Sequence, residues 1–199
     1  SSDLPTTRWR WSPENEKLQN EFVREFGIHP IISQILMSRE IMGIEEARRY
    51  LFPSLNDLHN PSLMKDMQKG VARLIKAISN REKAVVYGDY DVDGITSVTC
   101  LIKFLRAIDH PADYYIPDRI DEGYSLNKEA IDKMKADEVK LIITVDCGIS
   151  AHEEVTYAKS LGIDTIILDQ NEVPPVLPQS EAVINPNRPD CPFPFKHLA

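Results

Sequence analysis

Lys83-Ala84-Val85-Val86-Tyr87-Gly88-Asp89-Tyr90-Asp91-Val92-Asp93-Gly94 is the stretch from which the rest of this chain is read. A strand-like apolar run, Lys83 to Tyr87, leads into three aspartates at alternate positions between two glycines. A helix-like run follows from Ile95 to Ile108, its apolar residues recurring at three-to-four spacing. Three carboxylates crowded at the end of a strand repel one another and are costly unless a cation compensates them. The cluster therefore points to a divalent-metal site. A metal site in an α/β crevice points in turn to phosphate chemistry.

Working outward, the chain alternates. Strands are predicted at Ala84–Tyr87, Asp113–Ile116, Leu141–Val145, Thr165–Leu168 and Ala182–Ile184, and helices at Met67–Ser79, Ile95–Ile108, Leu126–Lys135 and Ser150–Leu161. Short Val/Ile-rich strands separated by helices predict an α/β fold, a mostly parallel sheet with helices on both faces. Ligands of such sheets bind at the carboxyl ends of the strands. Asp89, Asp91 and Asp93 follow the first strand, Asp146 ends the strand Leu141–Val145 and Asp169 ends the strand Thr165–Leu168, so acids from three strand ends are expected to converge.

The first 60 or so residues read differently. Helices are predicted around Glu14–Phe26, Ile31–Leu36 and Ile44–Leu51, with breaks at Phe52-Pro53 and Asn60-Pro61. Nothing there clusters carboxylates or histidines. The expected organisation is a small helical N-terminal lead-in, 1–66, followed by the α/β domain, 67–199. The proline-rich tail from Pro174 stops at Ala199 without terminal punctuation, and the expectation is that the domain is cut there.

Of the 199 residues, 42% are hydrophobic and 27% charged, as in an ordinary globular protein. Cys100, Cys147 and Cys191 form no CxxC pair and no disulfide framework, which predicts a reducing, cytoplasmic setting. No basic segment followed by an apolar run opens the chain, and no apolar run approaches the ~20 residues that cross a bilayer, so no membrane partner is expected. The net charge of −8 argues against a nonspecific duplex-DNA coat, which neutralises phosphates with basic side chains. It argues less against a nuclease whose acids hold metal ions.

Each motif has a competing reading. Asp89-x-Asp91-x-Asp93-Gly94 matches the opening of a calcium-binding EF-hand loop, but the bidentate Glu required six residues after the glycine is replaced by Cys100, and a strand rather than a helix precedes it. The aspartates could instead cap the following helix, since aspartate suits a helix N-terminus. One cap is ordinary, whereas three are excessive. Asp146 alone serves equally as a turn residue or a metal ligand. Arg119, just after the second strand, is placed either to hold a phosphate through a bidentate contact or to pair with Asp121 or Glu122.

With these residues in hand, the chain resembles the DHH phosphoesterase superfamily, and within it the bacterial RecJ-type single-strand-specific exonucleases. The likeness is carried by Tyr87 to Gly94, Ile116-Pro117-Asp118-Arg119, Glu122-Gly123-Tyr124, Val145-Asp146-Cys147-Gly148-Ile149, Asn185-Pro186 and Phe193 to Ala199. It implies that Asp91, Asp93 and Asp146, in the acidic set that includes Asp89, bind one or two Mn²⁺ or Mg²⁺ ions, with Asp146 as the bridge. It further implies 5′-to-3′ hydrolysis of single-stranded DNA in recombination and repair, with single-strand-binding or repair proteins as partners.

The family's name-giving Asp-His-His motif reads Asp169-Gln170-Asn171 here. In the family the first histidine ligates metal and the second contacts the scissile phosphate. Gln170 and Asn171 keep roughly the reach of imidazole but lose its basicity and its cationic form. The resemblance thus places Asp169, Gln170 and Asn171 at the catalytic corner, with Arg119 and Asn171 toward substrate, and implies weakened metal binding and turnover. Ser125 stands where relatives carry a second glycine, and the family's fourth metal-binding aspartate and C-terminal substrate-binding domain fall beyond Ala199. Two alternatives stand beside an impaired exonuclease: a noncatalytic DNA- or partner-binding relative, and a phosphoesterase of short oligonucleotides.

Overall fold

The computed structural model describes residues 15–118 and 125–196. Its contacts divide the chain between Leu58 and His59 into two units.

The first unit is helical. It contains α1 (Glu16–Phe26), α2 (Pro30–Ser38) and α3 (Ile44–Leu51), followed by a 3-10 turn at Leu55–Asp57. The Asn15 side chain accepts from Leu18 N and starts α1, and Gly27 ends it in the left-handed conformation, φ 65°. Phe22, Leu36, Ile41 and Ala47 form its small core.

The second unit contains a 3-10 turn (Pro61–Leu63), α4 (Met67–Ser79), β1 (Ala84–Gly88), α5 (Val92–Ala107), β2 (Ala112–Tyr115), α6 (Lys128–Ala136), β3 (Leu141–Val145), α7 (His152–Ser160), β4 (Asp164–Leu168) and β5 (Ala182–Ile184). The five strands form one sheet in the order β2-β1-β3-β4-β5, and all four pairings are parallel. The α/β reading of the sequence holds, with each strand within a residue of its expected place. Helix α5 begins at Val92 rather than Ile95.

Strand alternation sorts the core into two layers. Val86, Leu141, Ile143 and Ile166 meet Ala77 of α4 and Val98, Ile102 and Leu105 of α5 on one face. Tyr87, Ile142, Ile167 and Val183 meet Ile131 and Met134 of α6 and Val155 and Ala158 of α7 on the other. β1 and β3 are buried along their whole length, as strands covered by helices on both faces must be. Each such Val or Ile side chain contributes about 1.5–3 kcal/mol by leaving water.

Strand order fixes where a ligand belongs. From β1 the chain places β2 on one side, then crosses to place β3 on the other and continues through β4 to β5. The crevice between the carboxyl ends of β1 and β3 is therefore the topological switch point, where ligands of open α/β sheets bind.

Candidate metal centre

The aspartates of the opening motif occupy that switch point. Asp89 directly follows β1 and is buried, its Oδ1 accepting from Tyr90 N at 2.7 Å. Asp91 is the N-cap of α5, and its Oδ1 accepts from Gly94 N at 3.0 Å. Capping and crowding are thus compatible here: one aspartate caps while the group still gathers. Asp93 lies in the first turn of α5.

Two glycines allow this approach. A Cβ on Gly94 would lie 2.3 Å from the Asp89 carbonyl oxygen and 2.6 Å from its nitrogen. A Cβ on Gly88 would lie 2.3 Å from a Val98 methyl. Without side chains at these positions, the start of α5 folds back against the end of β1.

Asp146 arrives from β3. Its backbone N–H donates to Leu168 O at 2.9 Å, and its φ of 59° lies in the left-handed region, which non-glycine residues other than Asn and Asp seldom adopt. Asp89, Asp91 and Asp146 each bring one carboxylate oxygen into a group within 4.8 Å of one another. Burial, followed by the charges of Asp91, Asp169 and Asp93, pushes the Asp146 carboxyl above the usual carboxylate range, while a hydrogen bond from Gln170 acts the other way. Mutually repelling oxygens at this spacing form a hard donor set of the kind that suits Mg²⁺ or Mn²⁺. Asp93 stands outside the three-oxygen group and lines a cavity beside it.

The third corner has a different construction. Asp169, at the end of β4, is buried, and its carboxylate is taken up by the fold. Oδ2 accepts from Ile149 N at 2.9 Å, and Oδ1 accepts from Asn171 N at 2.9 Å and Asn171 Nδ2 at 2.8 Å. Gln170 Nε2 donates to Asp146 Oδ1 at 3.1 Å. Asn171 Nδ2 also donates to Asp146 O at 3.3 Å. Arg119 lies outside the described residues.

Two residues that motif reasoning did not assign support this loop. Asn185 Nδ2 donates to Asn171 O at 3.0 Å, and Asn187 Nδ2 donates to Gln170 O at 2.6 Å. The available signal was polar amides directly after the last strand, Asn185-Pro186-Asn187, where β4 and β5 end side by side. Cys147, adjacent to Asp146, does not supply a nucleophile. It is fully buried, its thiol faces Tyr87 O at 3.9 Å, and burial, with the charges of Asp169, Asp89 and Asp146, pushes it far above the usual thiol range.

Residues 83–193 match the DHH family, N-terminal domain. The chain belongs to the DHH family. It is similar to the single-stranded-DNA-specific exonuclease RecJ of Bacillus subtilis (strain 168), 39% identical over 196 residues, covering 97% of this chain and 25% of that protein. It is also similar to the RecJ exonuclease of Escherichia coli (strain K12), 36% identical over 171 residues, covering 85% of this chain and 29% of that protein. The DHH chain thus spans roughly a quarter of the length of these curated relatives. Among solved structures, it matches exonuclease RecJ bound to manganese with 30% identity and a TM-score of 0.59, over 64% of this chain and 33% of the other. RecJ from Thermus thermophilus in complex with Mn²⁺ shares the fold at a TM-score of 0.68 and 23% identity, over 92% of this chain and 25% of the other.

Proposed function

We propose that this DHH chain carries the metal-binding part of a 5′-to-3′ exonuclease of single-stranded DNA, with turnover lowered by Gln170 and Asn171. The observation that carries the reading is the group formed by Asp89, Asp91 and Asp146, three carboxylates from two separate strand ends meeting at the switch point of the sheet. The similarity to RecJ exonucleases, one of them solved with manganese, supports phosphodiester hydrolysis as the chemistry and Mn²⁺ or Mg²⁺ as the cofactor.

Asp89, Asp91 and Asp146 would hold one ion, and Asp93 at the cavity edge offers a further carboxylate for a second. Such an ion, when bound, supplies an activated water and offsets charge on the phosphodiester. The chain's own residues orient it: the first turn of α5 fixes Asp91, and Gln170 fixes Asp146 through Oδ1. Arg119 is assigned to the substrate phosphate from its place in the sequence, just after the second strand, and from its guanidinium's bidentate reach. Asn171 Nδ2 donates to Asp169 Oδ1 and Asp146 O, bonds that a contact from it to the phosphate would compete with. No helix among the described residues is long and apolar enough to cross a membrane. The proposed setting is the cytoplasm, with single-strand-binding or repair proteins as partners.

One observation favours a second reading, a noncatalytic DNA-binding relative. The Gln170 amide N–H is bonded to one carboxylate oxygen of Asp146, a member of the three-carboxylate group, and competes with a metal for that side chain. Digestion of 5′-labelled single-stranded DNA by the intact protein in Mn²⁺ separates the two, run beside Gln170→His with Asn171→His and beside a calorimetric Mn²⁺ titration. Groups that hold or orient metal ligands are worth roughly 10–100-fold. A rise of that size in rate, with tighter Mn²⁺ binding, is expected from the double substitution. Absence of activity in both proteins would sink the exonuclease reading, and a fast unaltered protein would sink the claim of impairment.

A further inference from the structure

Beside the carboxylates lies a cavity of about 490 Å³ with a composition the metal centre does not explain. Its floor is apolar: Met64 and Met67 at the start of α4, Leu101 and Phe104 on α5, and Ile184 and Pro186 at the end of β5. Its other end is formed by Asp93, Asp146, Asp169 and Gln170, so cavity and metal centre share a wall. Among the described residues, no lysine, arginine or histidine lines it.

That composition selects its occupant. A phosphate would find no cation on the described wall, where Ser97, Cys100 and the Gln170 amide are the only polar side chains beside three carboxylates, and is disfavoured. A flat, uncharged ring is favoured, since Phe104 lines the cavity and is 51% exposed, leaving ring surface free to stack. The volume falls in the range of roughly 300–1,000 Å³ typical of small-ligand sites. In a nucleotide, one sugar separates base from phosphate, and the cavity begins at the same Asp93 and Asp146 that border the metal centre. A phosphate held through a metal ion on the carboxylates would thus bring its base to the cavity. The comparable space on the other side of the 169–171 loop is bordered by Glu154 and Glu172 and, among the described residues, has no aromatic ring.

We propose that this cavity is a nucleobase subsite, which takes the base of the nucleotide whose phosphate faces Asp91 and Asp146 and stacks it on Phe104 against Met64 and Met67. The proposal rests on the single-stranded-DNA reading above. Stacking on an aromatic face accepts every base, so the subsite grips the strand without reading its sequence.

The test uses the intact protein and a short oligothymidylate with phosphorothioate linkages to slow cleavage, alongside the same strand carrying an abasic 5′-terminal residue. Binding is followed by fluorescence anisotropy. Phe104 is half-exposed, so Phe104→Ala is expected to fold. It should weaken the complete strand about tenfold, the loss of one stacking contact, and leave the abasic strand unchanged. Phe104→Trp should restore binding. Cys100 provides a second readout, because it is exposed on the cavity wall while Cys147 and Cys191 are buried. Its alkylation should be slowed by the complete strand.

Equal losses on both strands, or no loss on either, would overturn the subsite while leaving the single-stranded-DNA reading intact. A Cys100 already unreactive in the ligand-free protein would mean that another part of the protein fills the cavity, and would overturn it as well. Failure of the unaltered protein to bind either strand would remove the single-stranded-DNA reading and the subsite with it.

Discussion

At the end of β1, Asp89 and Asp91 each take one backbone N–H and still contribute an oxygen to a shared group with Asp146. At the end of β4, Asp169 takes three N–H donors, from Ile149 and twice from Asn171, and serves its own loop. Both are aspartates at the carboxyl end of an inner parallel strand, the position from which such sheets bind ligands. Position alone therefore does not make a ligand. What separates the two regions is the supply of donors: Tyr90 N and Gly94 N give Asp89 and Asp91 one each, whereas the 147–149 turn and Asn171 give Asp169 three, spread over both of its oxygens.

The strongest way to break the comparison is Gly94→Ala. Its Cβ would meet Asp89 backbone atoms at 2.3–2.7 Å, and backbone cannot swing aside as a flexible side chain can. A loss of about 3 kcal/mol is expected in urea unfolding, well beyond the gain of ~1 kcal/mol that alanine offers inside a helix. A stabilised variant would show that α5 slides freely along β1, and the explanation of the first region would fall.

Asp169→Ala sharpens the other side. It strands the N–H groups of Ile149 and Asn171 and should cost about 2 kcal/mol. Mn²⁺ affinity, measured by calorimetry, should fall far less than with Asp91→Ala. The reverse pattern, intact stability with lost affinity, would move Asp169 into the metal group.

The smallest effect concerns pH. Asp146 is held above the usual carboxylate range, chiefly by burial and then by Asp91, Asp169 and Asp93. A carboxyl raised in the folded state binds its proton more tightly there than in the unfolded chain. Its contribution thus favours folding at low pH and is lost as pH rises from the ordinary value of 3.8 through the raised one. Asp146→Asn, which tolerates the left-handed backbone, should remove that fall in the metal-free protein. Identical pH profiles of the denaturant midpoint for the two proteins would contradict the crowding argument.

Much of this was legible in the chain, for identifiable reasons. Leu141–Val145 is an unbroken apolar run between Lys140 and Asp146, and the structure begins and ends β3 there. The sequence pattern marks α5 only from Ile95, because the helix's first turn has no apolar signature. Val92 is 74% exposed, and burial begins at Gly94. The convergence of Asp89, Asp91 and Asp146 followed from strand ends alone. The saturation of Asp169 did not, because its decisive partner, Ile149 N, lies on a different strand's exit loop and is a backbone group that no side-chain pattern reports. The supports from Asn185 and Asn187 end on backbone oxygens and escaped for the same reason, whereas the Gln170 bond to Asp146 joins side chains on two strand exits whose spacing in sequence does not relate them.

The register of β1 against β3 carries one more consequence, for folding. Of the four strand pairings, it joins the segments farthest apart in sequence, with α5, β2 and α6 lying between them. Closing a chain loop costs entropy that grows with its length, and pairings between distant segments form slowly. The seam that brings Asp89 and Asp91 to Asp146 therefore carries the largest loop-closure cost in the sheet, and the repulsion between that pair and Asp146 arises only as the seam closes.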